Sequence, residues 1–372
     1  MANGANAQTA VEVTRGGGFG FVGAGFSTPE ALRQDFDFIR SSFPDRVNKP
    51  LPVGYGFIGW LLDKNEEGAK QLLDITIENN VQAIWLAFGT DIHRWIQHVR
   101  TSSANARAHH KPLIFVQVTS VEEALVAANE WKVDAIVAQA GRRVSKFSLS
   151  VLTRVLLIGP SLHPLGTESG GHGGASATST FTLVSEILAA LPQDGAAPVP
   201  PILAAGGMAT GAQVAAYLSL GAAGAALGTR FLLTPESAYK PAQRAALLAA
   251  RGPGATVRTM ALDTARASFG WPAGIDGRGL NNKIVDDIDA GVDHATVQAR
   301  CKAATEAGDS SYMVVWAGQG VSLMNEIKPV KVDVRAASAT LAPLTEQDVM
   351  AELHTDLVRQ LQKSQRLLQD DS

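Results

Sequence analysis

The chain has little of what membrane-spanning, secreted or nucleic-acid-binding proteins carry in excess. Its only cysteine among 372 residues is Cys301, which excludes an internal disulfide and fits a reducing compartment. The most apolar stretch, residues 151–158, is too short to cross a bilayer, and no early segment has the pattern of a secretory signal. The net charge of −3 gives no overall field for nucleic acid or an anionic membrane. These absences predict a cytoplasmic protein with neither nucleic acid nor a membrane as partner.

Metal-ligand patterns are also missing. His93 and His98 do not have the helical spacing of a metal site, His109 and His110 share a polar loop, and no HExxH motif or cysteine cluster occurs. The sequence therefore predicts no bound metal. Glycine, by contrast, is plentiful: there are 36, in a chain with only 6% aromatic and 18% charged residues. This composition indicates many tight turns between strands and helices.

Short apolar runs alternate with amphipathic helical patterns along the first two thirds of the chain. Each run is typical of a strand buried on both faces, and strict β/α alternation favours a parallel sheet closed as a TIM-type (β/α)8 barrel. The seven runs are residues 18–25, 52–59, 83–89, 113–118, 135–139, 202–207 and 225–231. The predicted helices are 8–15, 29–42, 66–79, 92–100, 121–131, 180–191 and 211–220, with Thr28 and Ser120 as N-caps.

Seven strands are one fewer than such a barrel needs. Residues 1–10 form a Gly/Asn loop that leads directly into a helix, whereas the helix that opens a β/α barrel normally follows a strand. We therefore expect an α/β barrel that lacks its first strand. A genuine seven-stranded or doubly wound sheet is the alternative.

Beyond residue 231 the pattern changes to helical stretches separated by loops rich in Gly, Asp and Asn. We expect three parts: the barrel over residues 1–234, a small helical cap over the barrel mouth at 235–330, and a C-terminal helix and tail at 331–372. Apolar residues recur at helical spacing in the third part, which favours a docking or solvated helix.

Three glycine-rich motifs are candidates for phosphate binding. Residues 18–23 match the GxGxxG string, but no helix opens at the third glycine, so they are weak evidence for NAD. Gly206 and Gly207 follow one predicted strand, and Gly228 and Thr229 follow the next. In a barrel the loops after the last two strands commonly hold a phosphate through backbone N–H groups. Tight turns without a ligand are the alternative.

A single histidine, His172, lies among glycines in residues 166–174, GTESGGHGG. Glycine has no Cβ, so the chain can approach a flat ligand closely and leave its N–H groups free. The loop is therefore a candidate site element, with a mobile surface turn as the alternative.

In order and in strand-end placement, these motifs resemble the nitronate monooxygenase family, formerly called 2-nitropropane dioxygenases. The resemblance runs from Met1, which matches the end of the family's first strand, to about residue 328. It is carried further by residues 16–25, 85–89, 116–118, 137–139, 168–174, 204–207, 226–231 and 316–320. It implies a TIM barrel that holds FMN at its C-terminal face and oxidises alkyl nitronates with O2 to a carbonyl compound and nitrite.

The resemblance also implies roles for particular residues. The phosphate would be bound by Gly206, Gly207, Gly228 and Thr229, and the positions near the flavin would be Met1, Gln117, Gln139, Gly171 and Gly173. His172 would orient the nitro group and, where a neutral nitroalkane is used, remove its α-proton, a role that suits an imidazole. A glutamine amide can hydrogen-bond a flavin, although for Gln117 and Gln139 a satisfied core glutamine is the alternative.

Two features depart from the family pattern. One is the missing first strand, which leaves Met1 without its usual support. The other is residues 140–165, which separate Gln139 from the His172 loop and carry four basic residues and no acid. Translated intron sequence with a misplaced start codon would explain both departures. A genuine basic surface insertion would explain residues 140–165, since loop insertions cost little folding free energy. Transcript reads supporting every codon of 140–165 would exclude the intron.

Three functions follow from these observations. The first is the nitronate monooxygenase, with FMN as cofactor and a small nitronate or nitroalkane and O2 as partners. The second is an FMN- and NAD(P)H-dependent reductase of enoyl thioesters or quinones, because such enzymes share the barrel and a similar Gly-Gly-His loop. The third is a barrel disabled by truncation and insertion. The oligomeric state stays open.

Overall fold

The computed structural model describes residues 4–105, 110–139, 168–175, 178–192, 198–331 and 348–370. Met1 and the 140–165 segment lie outside these residues. The strands are β1 Gly20–Gly23, β2 Leu51–Ile58, β3 Val81–Ala87, β4 Leu113–Val118, β5 Ala135–Ala138, β6 Gly171–Gly174, β7 Ile202–Ala205, β8 Gly224–Ala226, β9 Thr256–Thr259 and β10 Ile275–Leu280. The first helices are α1 Ala7–Arg15, α2 Pro29–Ser42, α3 Gly59–Lys64, α4 Glu66–Glu78, α5 Ile92–Asn105, α6 Val121–Asn129, α7 Thr180–Ala190 and α8 Gly211–Leu220. The later helices are α9 Thr229–Leu232, α10 Pro241–Ala249, α11 Ala261–Ala265, α12 Lys283–Asp289, α13 His294–Ala307 and α14 Val349–Asp370.

Seven parallel strands form the main sheet, in the order β1-β2-β3-β4-β5-β7-β8. They correspond to the seven apolar runs, and their spatial order follows the chain. A doubly wound sheet would reverse its strand order at a switch point, so that alternative is excluded. In the described residues β1 and β8 are the edges of a curled, incomplete barrel, as the count of strands predicts.

Local sequence accounts for the helix starts. The Thr28 hydroxyl accepts from the N–H of Ala31, with proline in the first turn of α2, and the Ser120 hydroxyl accepts from Glu123 at the start of α6. Both N-caps are confirmed. The predicted helices α2 and α8 have the observed bounds, and the others differ at their ends, where helices fray.

The two faces of the parallel sheet are filled differently. On the helix-covered face, large side chains such as Trp95 and Tyr55 are fully buried. Inside the curve the ring of Phe21 meets Trp85 and Phe115 edge-on, at centroid distances of 5.2 and 5.4 Å. Gly54 on β2 makes room for Phe21, since a Cβ there would lie 2.2 Å from its ring.

The region after β8 contains helices, as expected, α10 to α13, and also two strands, β9 and β10, that form with β6 a sheet that the sequence analysis missed. Strands β6, β10 and β9 pair antiparallel in that order. This second unit, called the cap below, has its own buried cluster that includes Leu247, Leu262, Ile284 and Val315. Because β6 carries His172, the glycine-rich loop is part of the cap sheet.

The C-terminal helix α14 packs on α8. The Asp356 carboxylate accepts from the N–H of Ala212 at 2.6 Å, and a Cβ on Gly211 would lie 2.2 Å from the Leu353 carbonyl oxygen. The predicted terminal helix is therefore present and docked. In the described part of the chain, no helix is both long and apolar enough to cross a membrane.

Candidate active site

His172 lies in the middle of β6, opposite Gly277 on β10. The absence of a side chain at Gly277 matters, because a Cβ there would lie 2.3 Å from the ring of Trp316. Trp316 itself packs beside the imidazole, with a centroid distance of 4.9 Å. The sheet register thus fixes both the backbone of His172 and one aromatic neighbour of its ring.

A buried carboxylate holds the imidazole edge. His172 Nε2 lies 2.9 Å from Asp263 Oδ1 and 3.0 Å from Oδ2. The Asp263 side chain is 1% exposed and that of His172 is 12% exposed. Asp263 is in the short helix α11, which follows β9, so the cap supplies both members of the pair.

Aromatic rings cover the imidazole. Trp271, in the connection from α11 to β10, stacks on His172 at a centroid distance of 3.4 Å and an interplanar angle of 9°. Trp271 also meets Trp60 at 5.2 Å and Phe88 at 5.6 Å, and so joins the cap to the end of the parallel sheet. One face of His172 is therefore closed to water.

Burial decides the protonation of His172. The pKa of His172 lies below the ordinary imidazole value, because burial disfavours the charged form. Asp263 opposes this lowering through its hydrogen bond and charge, and Arg258 adds to it. A lowered pKa keeps the imidazole neutral near pH 7, as a general base requires.

Two side chains anchor the loop around His172 from opposite sides. Gln139, just beyond β5, donates from Nε2 to the carbonyl oxygen of His172 at 2.8 Å and to Ser169 Oγ at 3.0 Å. Arg258 on β9 donates to the Ser169 carbonyl oxygen at 2.8 Å and pairs with Asp276 at 3.0 Å. Burial lowers the pKa of Arg258 and raises that of Asp276, and the ion pair opposes both shifts.

The glycine turns after β7 and β8 have the backbone that a phosphate cradle needs. Gly206 and Gly207 have φ values of 117° and 74°, which residues with a Cβ rarely adopt. The described residues offer their N–H groups no backbone acceptor. Gly228 precedes α9, which begins at Thr229, and the Thr229 hydroxyl accepts from the N–H of Gly318 at 2.9 Å.

The two glutamines differ. Gln139 agrees in part with the alternative of a core glutamine whose hydrogen bonds are satisfied, because its amide nitrogen already donates to the His172 loop. Gln117, in β4, has a buried Nε2 with no hydrogen-bond partner among the described residues. A buried amide donor without an acceptor is costly, so Gln117 is the stronger candidate for a ligand contact.

One cavity of about 860 Å³, within the range of small-molecule sites, collects most of the expected residues. It is lined by Gln117, Gln139, Gly171, His172, Gly206, Gly207, Gly228 and Thr229. Gly173 does not line it. It pairs with Asp276, and a Cβ there would lie 3.2 Å from Ser169 Oγ, so its lack of a side chain serves packing. No cluster of three His, Cys, Asp or Glu suited to a metal occurs in the described segments.

The model of the nitronate monooxygenase family matches residues 164–335. A curated relative, the nitronate monooxygenase npaC of Metarhizium robertsii, is 30% identical over 344 residues, covering 88% of this chain and 85% of that protein. The chain belongs to the nitronate monooxygenase family. The family consists of flavin-dependent oxidoreductases, so the chain is an enzyme of that class.

Solved structures agree on the fold. A nitroalkane oxidase from Streptomyces ansochromogenes superimposes with a TM-score of 0.65 at 22% identity, covering 98% of this chain and 94% of that one. FabK from Thermotoga maritima gives a TM-score of 0.66 at 21% identity, covering 100% and 94%. At these identities the likeness shows the barrel fold of this family member, not its reaction.

The sequence analysis singled out His172 as a candidate but not the residues that hold it. Asp263, Trp271 and Arg258 belong to the cap, in segments with no recognisable motif. Asp263 is 91 positions from His172, and no local pattern links them. The sequence offers only a weak signal, an acidic residue among the apolar Leu262 and Ala265.

Proposed function

We propose that this chain is an FMN-dependent nitronate monooxygenase, which oxidises alkyl nitronates with O2 to a carbonyl compound and nitrite. One observation carries the proposal: a single cavity contains His172, the glycine turns after β7 and β8, and the unpaired amide of Gln117. A base, an anion cradle and a neutral donor are the protein groups that this reaction uses.

The residues present fit FMN. Gly206 and Gly207, with Gly228 and Thr229, would hold the phosphate, since their backbone can approach an anion closely. Gln117 Nε2 would donate to a flavin or ribityl acceptor. Gln139 would contribute through its amide oxygen, because its nitrogen holds the His172 loop. When bound, FMN supplies the electron acceptor for the nitronate.

His172 serves the substrate. The imidazole lines the cavity, and one of its faces is covered by Trp271. It orients the nitro group and, for a neutral nitroalkane, takes the α-proton. Because burial lowers its pKa, the base is present in its neutral form at neutral pH.

The deciding experiment is a flavin spectrum of the purified protein. A yellow protein that releases FMN on denaturation, and that is bleached anaerobically by propionate 3-nitronate but not by NADPH, supports the proposal. Nitrite and a carbonyl product are then measured after oxygen is admitted.

Two other outcomes would overturn it. Bleaching by NADPH and not by the nitronate would assign the chain to the reductases of enoyl thioesters or quinones. A folded but colourless protein that takes up no FMN would identify a barrel without catalytic function.

A further inference from the structure

We propose that Asp263 is a positioning residue that keeps a proton on Nε2 of His172, so that Nδ1 is the nitrogen that receives the substrate proton. The substrate's identity rests on the proposed function. The position of the proton on His172, however, is a property of the protein alone and can be measured without substrate.

The hydrogen-bond geometry selects the tautomer. Both carboxylate oxygens of Asp263 lie within 3.0 Å of Nε2. An ionised carboxylate only accepts hydrogen bonds, so this contact requires a hydrogen on Nε2. In a neutral imidazole the other nitrogen, Nδ1, then carries the lone pair. The Asp263 side chain is 1% exposed, so water cannot readily take its place.

Asp263 is itself held in place. Its carbonyl oxygen accepts from the N–H of Arg266 at 3.1 Å and of Ser268 at 2.9 Å, at the end of α11. The start of the helix is held by Thr259, whose hydroxyl accepts from the N–H of Ala261 at 3.0 Å. The carboxylate thus projects from a short helix fixed at both ends.

The ring has little freedom to turn. Rotation about the Cβ–Cγ bond would break the contact of Nε2 with Asp263, and any rotation short of a half turn would also break the stacking on Trp271, 3.4 Å away. Trp316 lies beside the ring at 4.9 Å. Nδ1 has no hydrogen-bond partner in the described part of the chain, while His172 lines the cavity. Nδ1 is therefore the ring nitrogen left for substrate.

Among the described residues, the charges that act on His172 come from three elements of the cap. Asp263 on α11 raises its pKa, Arg258 on β9 lowers it, and Asp276 on β10 interacts with it electrostatically. Of these three charged residues, only Asp263 forms a hydrogen bond with the imidazole. Arg258 is paired with Asp276 at 3.0 Å, so the charge of Asp276 opposes the effect of Arg258.

The proton transfer is balanced without a further reactant. In a neutral nitroalkane the α C–H bond breaks, its electron pair moves into the nitro group to form the nitronate, and the proton binds Nδ1. His172 then has two N–H groups and a positive charge, which the Asp263 carboxylate stabilises. A preformed nitronate needs no such step.

The first test is nitrogen NMR of protein labelled with 15N-histidine, which separates the two tautomers and gives the pKa. The His172→Gln spectrum identifies the His172 signals among the eight histidines. We expect Nε2–H in the wild type. In Asp263→Asn both tautomers of His172 should be populated, and the pKa of His172 should fall, because the side chain that raises this pKa has lost its charge. Asp263→Glu should restore much of the Nε2–H tautomer and much of the pKa. Wild-type protein with its proton on Nδ1 would overturn the proposal, whether or not the variants fold.

The second test separates proton removal from oxidation. In Asp263→Asn, kcat/KM for a neutral nitroalkane should fall about 100-fold, the scale of a positioned base, while kcat/KM for its nitronate should change less than about tenfold. The control is Asp63→Asn, since Asp63 also accepts several hydrogen bonds but lies outside the cavity. Equal losses for both substrates would refute the positioning role.

The two proposals can fail separately. If the wild type binds flavin but oxidises neither substrate, the proposed function is wrong, and the NMR measurement still decides where the His172 proton lies. If the wild type oxidises nitronates but carries the proton on Nδ1, the function stands and Asp263 has another role.

Discussion

The parallel sheet and the cap contribute different chemistry to the same cavity. The sheet offers uncharged groups: the turns at Gly206 and Gly207 and the amide of Gln117. The cap offers ionisable and aromatic side chains, Asp263 and Trp271 among them, packed on the imidazole. Under the proposed function, the sheet would bind the cofactor and the cap would act on the substrate.

His172 lies where these two regions meet. Its strand, β6, pairs with β10 of the cap, while its carbonyl oxygen accepts from Gln139 at the end of β5. If the division is real, changes in the cap should lower turnover and leave flavin bound, and changes in the sheet's turns should do the reverse.

The largest effect should come from His172→Gln. Loss of the base should lower kcat/KM for a neutral nitroalkane by about 1000-fold, within the range of general-base catalysis. Flavin content should stay near wild type, because the phosphate turns are untouched. Steady-state kinetics measures kcat/KM, and the flavin-to-protein absorbance ratio measures flavin content. The control is His294→Gln, because His294 is exposed. Loss of flavin in His172→Gln but not in the control would break the division between sheet and cap.

Gly207→Ala tests the sheet's side of the comparison. Its φ of 74° disfavours alanine, and the new Cβ would lie 2.6 Å from Glu168 Cβ. We expect FMN affinity to fall about 100-fold, which is about 2.7 kcal/mol. Gly252→Ala is the matched control, because Gly252 has a φ of 81° and no atom within 4 Å of the added Cβ. It should lose about 1 kcal/mol of stability and no FMN affinity. Fluorescence titration with FMN distinguishes them, and equal losses of affinity would mean that backbone strain alone is responsible.

Gln117→Leu and Gln139→Leu should have opposite effects on stability. Removing the unpaired amide of Gln117 should leave the Tm of the flavin-free protein unchanged or raise it, yet weaken FMN binding about tenfold. Removing Gln139 takes the side-chain donor from the His172 carbonyl oxygen and one of two donors from Ser169 Oγ, and should cost about 1–3 kcal/mol. Thermal melts with and without FMN check both. A lower Tm in Gln117→Leu would show that its amide is satisfied in the free protein.

The smallest effect is a displacement of the pH profile. The base must be neutral to accept a proton, so kcat/KM for a neutral nitroalkane should rise with pH and level off. Because burial lowers the pKa of His172, the inflection should lie below the ordinary value of about 6.5. The profile for a preformed nitronate should lack this inflection. An inflection above 6.5 would mean that the attraction of Asp263 exceeds the cost of burial.

Much of the parallel sheet could be read from the sequence, because each strand is a continuous apolar run followed by a glycine or an amphipathic helix. An apolar run such as 113–118 that lies between predicted helices is interpreted as a buried strand. The turn at Gly206 is predicted because Gly206 comes directly after such a strand. Within the parallel sheet the order of the strands in space follows their order in the chain, so local patterns were sufficient.

The cap could not be predicted in the same way. The sequence of β6 is Gly-His-Gly-Gly, which has little intrinsic preference for a strand, and β10 contains Gly277, Arg278 and Gly279. Their pairing depends on contacts between distant parts of the chain. The Asp263 carboxylate and the Trp271 ring become site residues only through that pairing, so neither could be identified before the structure.

The separation of His172 from Asp263 by 91 positions has a consequence for folding. Contacts between distant residues require long loops to close and therefore form slowly, whereas the paired strands of the parallel sheet are less far apart in the chain. We expect refolding protein to regain the helix and strand signal of the sheet before the stacked Trp271 indole gains its native fluorescence. The contacts around His172 would then form last, so catalytic activity would return only after the sheet has folded.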